Sequence, residues 1–106
     1  MAYVYILECV DGTFYTGSTL DLARRVDEHN EGFGGEYTRT RRPVRLLWCS
    51  EYERVDDAFA WEKRIQGWSR AKKMALIEHR YDDLPGWSAR QRVNSEPEDA
   101  GADLNL

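Results

Sequence analysis

A dipeptide near the N-terminus, Asp11-Gly12, separates two short segments of β-forming residues and most constrains how this chain folds. Residues 3–9 are aromatic, β-branched and apolar, and residues 13–17 return with a similar composition. An Asp-Gly pair between two such segments is a strong signal for a β-hairpin. We therefore predict that the chain begins with two antiparallel strands joined by a tight turn.

The length of this turn decides whether two tyrosines, Tyr5 and Tyr15, share a face of the hairpin. Side chains alternate between the faces of a strand, so a two-residue loop would place these tyrosines on opposite sides. A three-residue loop with Gly12 in the left-handed region would pair Tyr5 with Gly17 and bring both rings to one side. The sequence leaves both loops open, and a site shared by the two tyrosines requires the odd register.

The rest of the pattern predicts three helices and one more strand. Ser18 or Thr19 is placed to cap the first helix, and Ser69 to cap the last. Together with the hairpin, the predicted order of elements is β-β-α-β-α-α, which gives an α/β fold of the α+β type. The predicted elements after the hairpin are a helix, a strand and two helices, over residues 20–30, 44–50, 54–67 and 69–79.

Two polar residues lie one turn apart on the first predicted helix. Arg25 and His29 are i, i+4 neighbours, and His29 shares a stripe with Leu22 and Val26. Each has an ordinary explanation when taken alone. His29 would be a surface or capping histidine, and Arg25 would form a solvated pair with Arg24.

A single carboxylate interrupts the apolar stripe of the second predicted helix. Glu62 stands where an aliphatic residue is expected, on the stripe that leads from Val55 to Ile65. Burying a carboxylate there is costly without a partner. We expect that partner to be either a metal ion or a cationic side chain, of which Arg25 is the strongest candidate.

The length and composition indicate one domain. The 106 residues lack an apolar run of membrane-spanning length and a recognisable secretory signal. Cys9 and Cys49 are isolated within apolar segments, which predicts buried thiols in a cytoplasmic protein. We expect a globular domain over residues 1–87 and a disordered, polar and acidic tail over residues 88–106.

The net charge of −4 argues against strong non-specific binding to nucleic acid, but the charges are unevenly distributed. Residues 37–45 and residues 63–73 each contain several cations and no acid. These segments either carry ordinary solvated charge or form a face that binds phosphates. The candidate nucleic-acid-binding residues are Arg39, Arg41, Arg42, Lys63, Arg70, Lys72 and Lys73.

The combination of Tyr3-Val4-Tyr5, Tyr15-Thr16-Gly17, Arg25, His29 and Glu62 resembles the GIY-YIG nuclease domain. That domain occurs in homing endonucleases, some restriction enzymes and the excision-repair nuclease UvrC. The resemblance implies its fold, a three-stranded antiparallel sheet flanked by helices, which has the order of elements predicted above. The resemblance covers roughly residues 1–80 and is closest to the small stand-alone bacterial members. This chain departs from some members in having Ser18 in place of a lysine and no asparagine between Asn30 and Asn94.

The resemblance implies a divalent-metal-dependent endonuclease that hydrolyses phosphodiester bonds in DNA, in repair or on branched or damaged substrates. Glu62 would hold one weakly bound Mg²⁺ or Mn²⁺ ion completed by water, which requires it to lie on the same side of the sheet as Tyr15. Tyr5, assisted by His29, would deprotonate the attacking water, although the residues do not settle which tyrosine is the base. The five catalytic residues, expected to converge in one partly exposed concavity, are Tyr5, Tyr15, Arg25, His29 and Glu62.

The DNA partner implied by the resemblance would be selected by structure rather than by sequence, by a monomer or a weak dimer. A different class of function also fits the residues. The acidic net charge and the lack of a second DNA-binding domain are compatible with a catalytically weak or inactive module that retains the fold and binds nucleic acid or protein. Metal-dependent nicking of DNA, and its loss when Glu62 is replaced by alanine, would discriminate the endonuclease from the binding module.

Overall fold

Three antiparallel strands form the centre of the molecule in a computed structural model, which describes residues 1–84. Strands β1 (Ala2–Glu8), β2 (Phe14–Thr19) and β3 (Arg45–Tyr52) lie in the order β2-β1-β3. Strand β2 is therefore an edge strand among the described residues, and the Gln66 side chain of the later helix donates to its Thr16 carbonyl at 3.2 Å. The predicted tail over residues 88–106 and the last residues of the predicted domain lie outside the described residues.

The turn between β1 and β2 has three residues, and the odd register is confirmed. The Cys9 amide donates to the Thr13 carbonyl at 2.8 Å, and Gly12 closes the turn with a φ of +84°. Glycine suits this position because a side chain in the left-handed region costs energy. Tyr5 and Tyr15 consequently lie on the same face of the sheet.

Helices cover both faces of the sheet, and one of them was not predicted. The first helix begins two residues later than expected because the Asp21 side chain, rather than Ser18 or Thr19, accepts the Arg24 amide and caps it. A four-residue helix overlaps the start of the first basic segment, residues 37–45, so the order is β-β-α-α-β-α-α. The helices are α1 (Leu22–Asn30), α2 (Glu36–Arg39), α3 (Val55–Gln66) and α4 (Arg70–Ile77), followed by a 3-10 turn (Tyr81–Asp83).

The two faces of the sheet pack separate apolar clusters. One face lies against α3 and α4. The other lies against α1, whose Leu22 and Val26 pack on Leu7 and Cys9. Cys9 and Cys49 are both buried and unbridged, as predicted. Among residues 1–84, no helix is long and apolar enough to span a membrane.

The position predicted for Glu62 on the core stripe of α3 is wrong. Val55 and Phe59, which define that stripe, are more than half exposed. The helix is rotated so that its largest apolar side chain, Trp61, enters the core, and this moves Glu62 to a half-buried position at the boundary. The residues of α3 that face the core are Ala58, Trp61 and Ile65.

Candidate active site

A chain of three buried polar side chains lies between the sheet and α1. The Tyr5 hydroxyl is 3.0 Å from His29 Nε2, and His29 Nδ1 is 2.7 Å from Thr38 Oγ1. His29 and Thr38 are fully buried, so the reading of His29 as a surface histidine is wrong. In one tautomer Tyr5 donates to Nε2 while Nδ1–H donates to Thr38, and in the other both hydrogen bonds are reversed.

Burial keeps both groups of the Tyr5–His29 pair neutral. Desolvation, reinforced by the positive charge of Arg25, lowers the pKa of His29 from 6.5 to about 4. Desolvation raises the pKa of Tyr5 to about 12, and Arg25 opposes that rise only in part. The imidazole is therefore uncharged at neutral pH and has one nitrogen available to accept a proton.

Two glycines allow the rings to pack this closely. A Cβ atom at Gly17 would lie 2.5 Å from the Tyr5 hydroxyl oxygen. A Cβ atom at Gly34 would overlap the His29 ring at Nδ1. Both separations are far below van der Waals contact, so the positions of Tyr5 and His29 depend on the absence of side chains at these two sites.

Arg25 lies at the mouth of this buried chain. Its guanidinium donates to Glu28 at 2.9 Å and to the Gly34 carbonyl at 3.2 Å. It is also close enough to the Tyr5 hydroxyl to lower the pKa of that phenol by hydrogen bonding. The ion pair between Arg25 and Glu62, which was the alternative to a metal site, is not formed, because Arg25 pairs with Glu28 instead.

Tyr15 is the more exposed of the two motif tyrosines. Its ring centroid is 5.1 Å from that of His29 on one side and 6.0 Å from that of Tyr37 on the other. Arg41 covers the far face of Tyr37, with its guanidinium carbon 3.9 Å from the ring centroid. Partial burial raises the pKa of the Tyr15 phenol as well. Tyr15 is thus a neutral donor whose ring meets His29 edge to face and stacks on Tyr37.

Glu62 reaches the site from the opposite side of the sheet. Its carboxylate accepts hydrogen bonds from Ser18 at 2.6 Å and from Gln66 at 2.8 Å. Ser18 pairs with Val4 and faces α3, whereas Gly17 pairs with Tyr5 and faces α1. Four of the five predicted residues therefore lie on the α1 side, and Glu62 extends from a helix on the other face to the edge strand. Their convergence in one concavity stays a prediction.

The edge strand separates Glu62 from the tyrosines without isolating it from them. After burial itself, the negative charge of Glu62 contributes to the raised pKa of Tyr15 and of Tyr5. Electrostatic influence of this kind requires a short separation. The expectation that Glu62 shares the side of Tyr15 is wrong for the helix that carries it, because α3 packs on the other face of the sheet. The metal role proposed below therefore rests on the position of the carboxylate at the edge strand, between the two faces.

The residues around Glu62 fit a single divalent ion with water completing its shell. No group of three or more His, Cys, Asp or Glu side chains within residues 1–84 is arranged to hold a metal. Both donors to Glu62 are neutral, and none of the ion pairs in this part of the chain involves it. A half-exposed carboxylate with its charge uncompensated suits an ion such as Mg²⁺, which retains several waters.

The arginines of the first basic segment differ in how they are engaged. Arg41 pairs with Asp11 at 3.1 Å and donates to the Tyr37 carbonyl at 2.8 Å. Arg42 donates to the carbonyls of Arg39 and Asn30. The Arg39 side chain is 56% exposed and lies 4.0 Å from Glu36. Arg39 is thus the candidate least committed to other contacts, and Arg41 the most committed.

The cations of the second basic segment lie mainly against aromatic rings. Arg70 covers Phe14 at 4.1 Å and donates to the Gly12 carbonyl at 3.0 Å, which brings it to the hairpin turn. Lys63 lies over Phe59. Lys72 lies over Trp68, while partial burial lowers the pKa of Lys73. These contacts leave Lys63, Arg70 and Lys72 exposed on the α3 and α4 side.

Four residues that shape the site were not identified from the sequence. Thr38 fixes His29, Gly34 admits its ring, and Ser18 and Gln66 hold Glu62. Gln66 offers the clearest sequence signal, because an amide at i+4 from a helical glutamate lies on the same face. It also supplies a polar group after Glu62 where no asparagine is available.

Comparison with known proteins agrees with the geometry. The chain matches the model of the GIY-YIG catalytic domain over residues 1–75. A UPF0213 protein of Halobacterium salinarum is 50% identical over 77 residues, which is 73% of this chain and 100% of that protein. A UPF0213 protein of Staphylococcus aureus is 44% identical over 78 residues, which is 74% of this chain and 95% of that protein.

A solution NMR structure of a UPF0213 protein from Bacillus halodurans is also similar, with 36% identity and a TM-score of 0.49. The match covers 93% of this chain and 92% of that one. The domain model and the sequence relatives confirm the resemblance seen in the tyrosine motifs. The chain belongs to the GIY-YIG family, a family of nucleases.

Proposed function

We propose that this protein is a divalent-metal-dependent endonuclease that hydrolyses phosphodiester bonds in DNA. The observation that carries the proposal is the arrangement across β2. A neutral Tyr5–His29 pair with Arg25 lies on one side, and Glu62, which lacks a cationic partner among residues 1–84, lies on the other. Phosphodiester hydrolysis needs a proton acceptor, positive charge for the phosphate and a site for a metal ion, and this arrangement contains all three.

The open edge of β2 explains how groups on two faces would act on one phosphate. Within residues 1–84 no strand pairs with the outer side of β2, and in this proposal an extended DNA backbone crosses the strand near Gly17. A phosphate at that point would meet Arg25 and Tyr15 from the α1 side and Glu62 from the α3 side. A divalent ion bound by Glu62 would supply charge neutralisation and a more acidic water.

Tyr5 acts as a proton relay in this proposal. With a pKa of about 12, the phenol is ionised in roughly one molecule in ten thousand at pH 8, at a cost of about 5 kcal/mol. Prior ionisation is therefore unfavourable. In the relay, Tyr5 passes its proton to His29 Nε2 as it accepts one from water, with Nδ1–H donating to Thr38. The pKa of about 4 makes protonation of His29 comparably costly at pH 8, so the relay requires the negative charge of a bound phosphate to stabilise the imidazolium.

Nicking of supercoiled plasmid in the presence of Mn²⁺ or Mg²⁺ tests this function. We expect wild-type protein to nick DNA, and Glu62→Gln to lose activity by about a hundredfold or more, as for loss of a group that stabilises transition-state charge. Asp57→Asn is the matched control, because Asp57 is an exposed carboxylate on the same helix. A Glu62→Gln protein as active as this control would remove the metal role.

The alternative is a module that binds nucleic acid without cleaving it. The high pKa of Tyr5 favours this alternative, because an efficient base is usually tuned toward neutral pH. DNA binding by the wild-type protein, with no nicking in either metal over a range of pH, would establish it.

Arg39, the exposed arginine at the C-terminal end of α2, would make the first contact with the DNA backbone. Arg39→Glu should weaken binding on all sequences alike and reduce the slope of log affinity against log salt by about one. Arg41→Glu is the comparison variant, because it also breaks the pair with Asp11 and should lower stability. Salt-independent binding would count against a phosphate-contacting role for this segment.

A further inference from the structure

Phe33 is the most exposed large apolar side chain in the described part of the protein, at 75% of its full accessibility. It lies in the loop between α1 and α2. Of the glycines beside it, only Gly34 has a role in the candidate active site. An exposed phenylalanine that remains in water gains nothing for folding. Its exposure leaves an aromatic face available to a ligand.

The backbone on both sides of Phe33 is fixed by the candidate active site. The Phe33 amide donates to the Glu28 carbonyl at 2.8 Å, and the Gly32 amide donates to the His29 carbonyl at 3.2 Å. On the other side, the Gly34 carbonyl accepts from Arg25 at 3.2 Å. These contacts fix the backbone that carries Phe33 relative to the site, and the phenyl ring lies in solvent.

Positive charge surrounds the same loop. A Cβ atom at Gly32 would lie 3.1 Å from the Arg42 guanidinium, so this arginine packs directly beside the loop. Two of the five donors of Arg42 bind carbonyls, which leaves capacity for an anion. An open pocket of about 560 Å³ lies here, lined by Asn30, Arg39, Thr40, Arg42 and Pro43.

An exposed aromatic ring next to a basic pocket matches the chemistry of a nucleotide. We infer that Phe33 and this pocket form a subsite for one unpaired nucleotide of the DNA substrate, with the base stacked on Phe33 and its phosphate bound by Arg39 and Arg42. Stacking on an aromatic ring accepts any base whose face is accessible. Bases within a regular duplex present no such face, so the subsite selects DNA with an unpaired nucleotide beside the bond to be cleaved.

This inference deepens the proposed function and rests on it for the cleaved bond, but binding tests it independently. Metal-free protein would be titrated into two duplexes, one fully paired and one with a single bulged 2-aminopurine. We expect the wild-type protein to prefer the bulged duplex and to quench the 2-aminopurine fluorescence. Phe33→Ala should lose about fivefold or more of its affinity for the bulge and little for the paired duplex.

Two further variants separate stacking from simple apolar contact and from general effects. Phe33→Leu keeps an apolar side chain without an aromatic face, and it should lose the preference and the quenching as Phe33→Ala does. Val55→Ala, which also removes an exposed apolar side chain but lies on α3, should behave as wild type. Each variant alters an exposed residue, so folding should be retained and circular dichroism would verify it.

The outcomes distinguish this inference from the endonuclease proposal. Equal affinity of the wild-type protein for both duplexes, or an unchanged preference in Phe33→Ala, would overturn the subsite even if plasmid is nicked. A preference that depends on Phe33 in a protein that never nicks DNA would support the subsite and reject catalysis. Loss of a dimer in Phe33→Ala on sedimentation, without an effect on DNA binding, would assign Phe33 to contact between two copies.

Discussion

The two sides of β2 hold polar groups in opposite ways. On the α1 side, Tyr5 and His29 are buried and hydrogen-bonded in a chain that ends on Thr38, so their charged forms are strongly disfavoured. On the α3 side, Glu62 is half-buried and accepts hydrogen bonds from the neutral donors Ser18 and Gln66. One side is preorganised by folding, and in the proposed function the other is completed by a cation.

This difference separates stability from activity within one site. Changes on the α1 side alter packed and desolvated groups, so they should first appear in the free energy of unfolding. Changes at Glu62 remove a charge that water already reaches, so they should leave the fold intact and affect metal-dependent chemistry alone. The predictions below test this separation.

The largest effect on stability is expected at Gly34. Alanine at this position would place its Cβ atom on the His29 ring, which is held by Tyr5 and Thr38 and has no room to move. Forcing atoms into such packing should reduce the free energy of unfolding by about 3 kcal/mol or more. Chemical denaturation of the variant measures this loss.

Gly67→Ala is the matched control for that measurement. Gly67 follows α3 with a φ of −85°, and a Cβ atom there would meet its nearest neighbour at an ordinary 3.6 Å. We expect little change, or a small gain from the reduced freedom of the unfolded chain. Equal stabilities for the two alanine variants would show that the loop yields and that His29 is not tightly packed.

The sequence was sufficient for the fold because its strongest signals were local. The Asp11-Gly12 turn located the hairpin but left two loop lengths open, and the requirement that Tyr5 and Tyr15 share a face selected the register that the structure contains. The family resemblance extended this to the whole domain. Short-range turn chemistry and alternation within strands do not depend on the rest of the chain, which is why this part was predictable.

The arrangement of the site depended on contacts that periodicity does not encode. The rotation of α3 is set by Trp61 entering the core, so Glu62 moved from the expected stripe to the edge. The burial of His29 depends on Thr38, in the short helix α2, and on Gly34, in the loop before that helix. Neither segment has a strong hydrophobic pattern. Tertiary packing of distant segments decided both outcomes.

The next effect is a pH dependence of stability that comes from His29. Its pKa is about 4 in the folded protein and 6.5 when unfolded, so the unfolded state binds the proton more readily. Stability from this group is therefore complete above about pH 6.5 and is lost as the pH falls toward 4, by at most about 3 kcal/mol. Denaturation of wild-type protein and His29→Gln across this range isolates the contribution, because other groups titrate in both.

NMR titration of the His29 ring provides the direct check. A ring that titrates near pH 6.5, or a stability difference between the two proteins that does not change between pH 7 and 4, would mean that water reaches the imidazole. In that case the α1 side is not the dry, preorganised part of the site, and the contrast with the edge of β2 disappears.

The smallest effect on stability is expected at Glu62. Glutamine has nearly the same size, and its carbonyl oxygen can accept the hydrogen bond from Ser18 in place of the carboxylate. None of the ion pairs within residues 1–84 depends on Glu62, so Glu62→Gln leaves no cation unpaired there. The free energy of unfolding should change by less than about 1 kcal/mol, in the range of surface substitutions.

The effect of added metal ions on the melting temperature completes the test at Glu62. Adding Mg²⁺ or Mn²⁺ should raise the melting temperature of the wild-type protein slightly, because an ion that binds only the folded state stabilises it. The shift should be absent in Glu62→Gln and present in Asp57→Asn. A Glu62→Gln protein that is several kcal/mol less stable would show that the carboxylate is a structural element of the edge, and a metal-induced shift that survives the substitution would place the ion elsewhere.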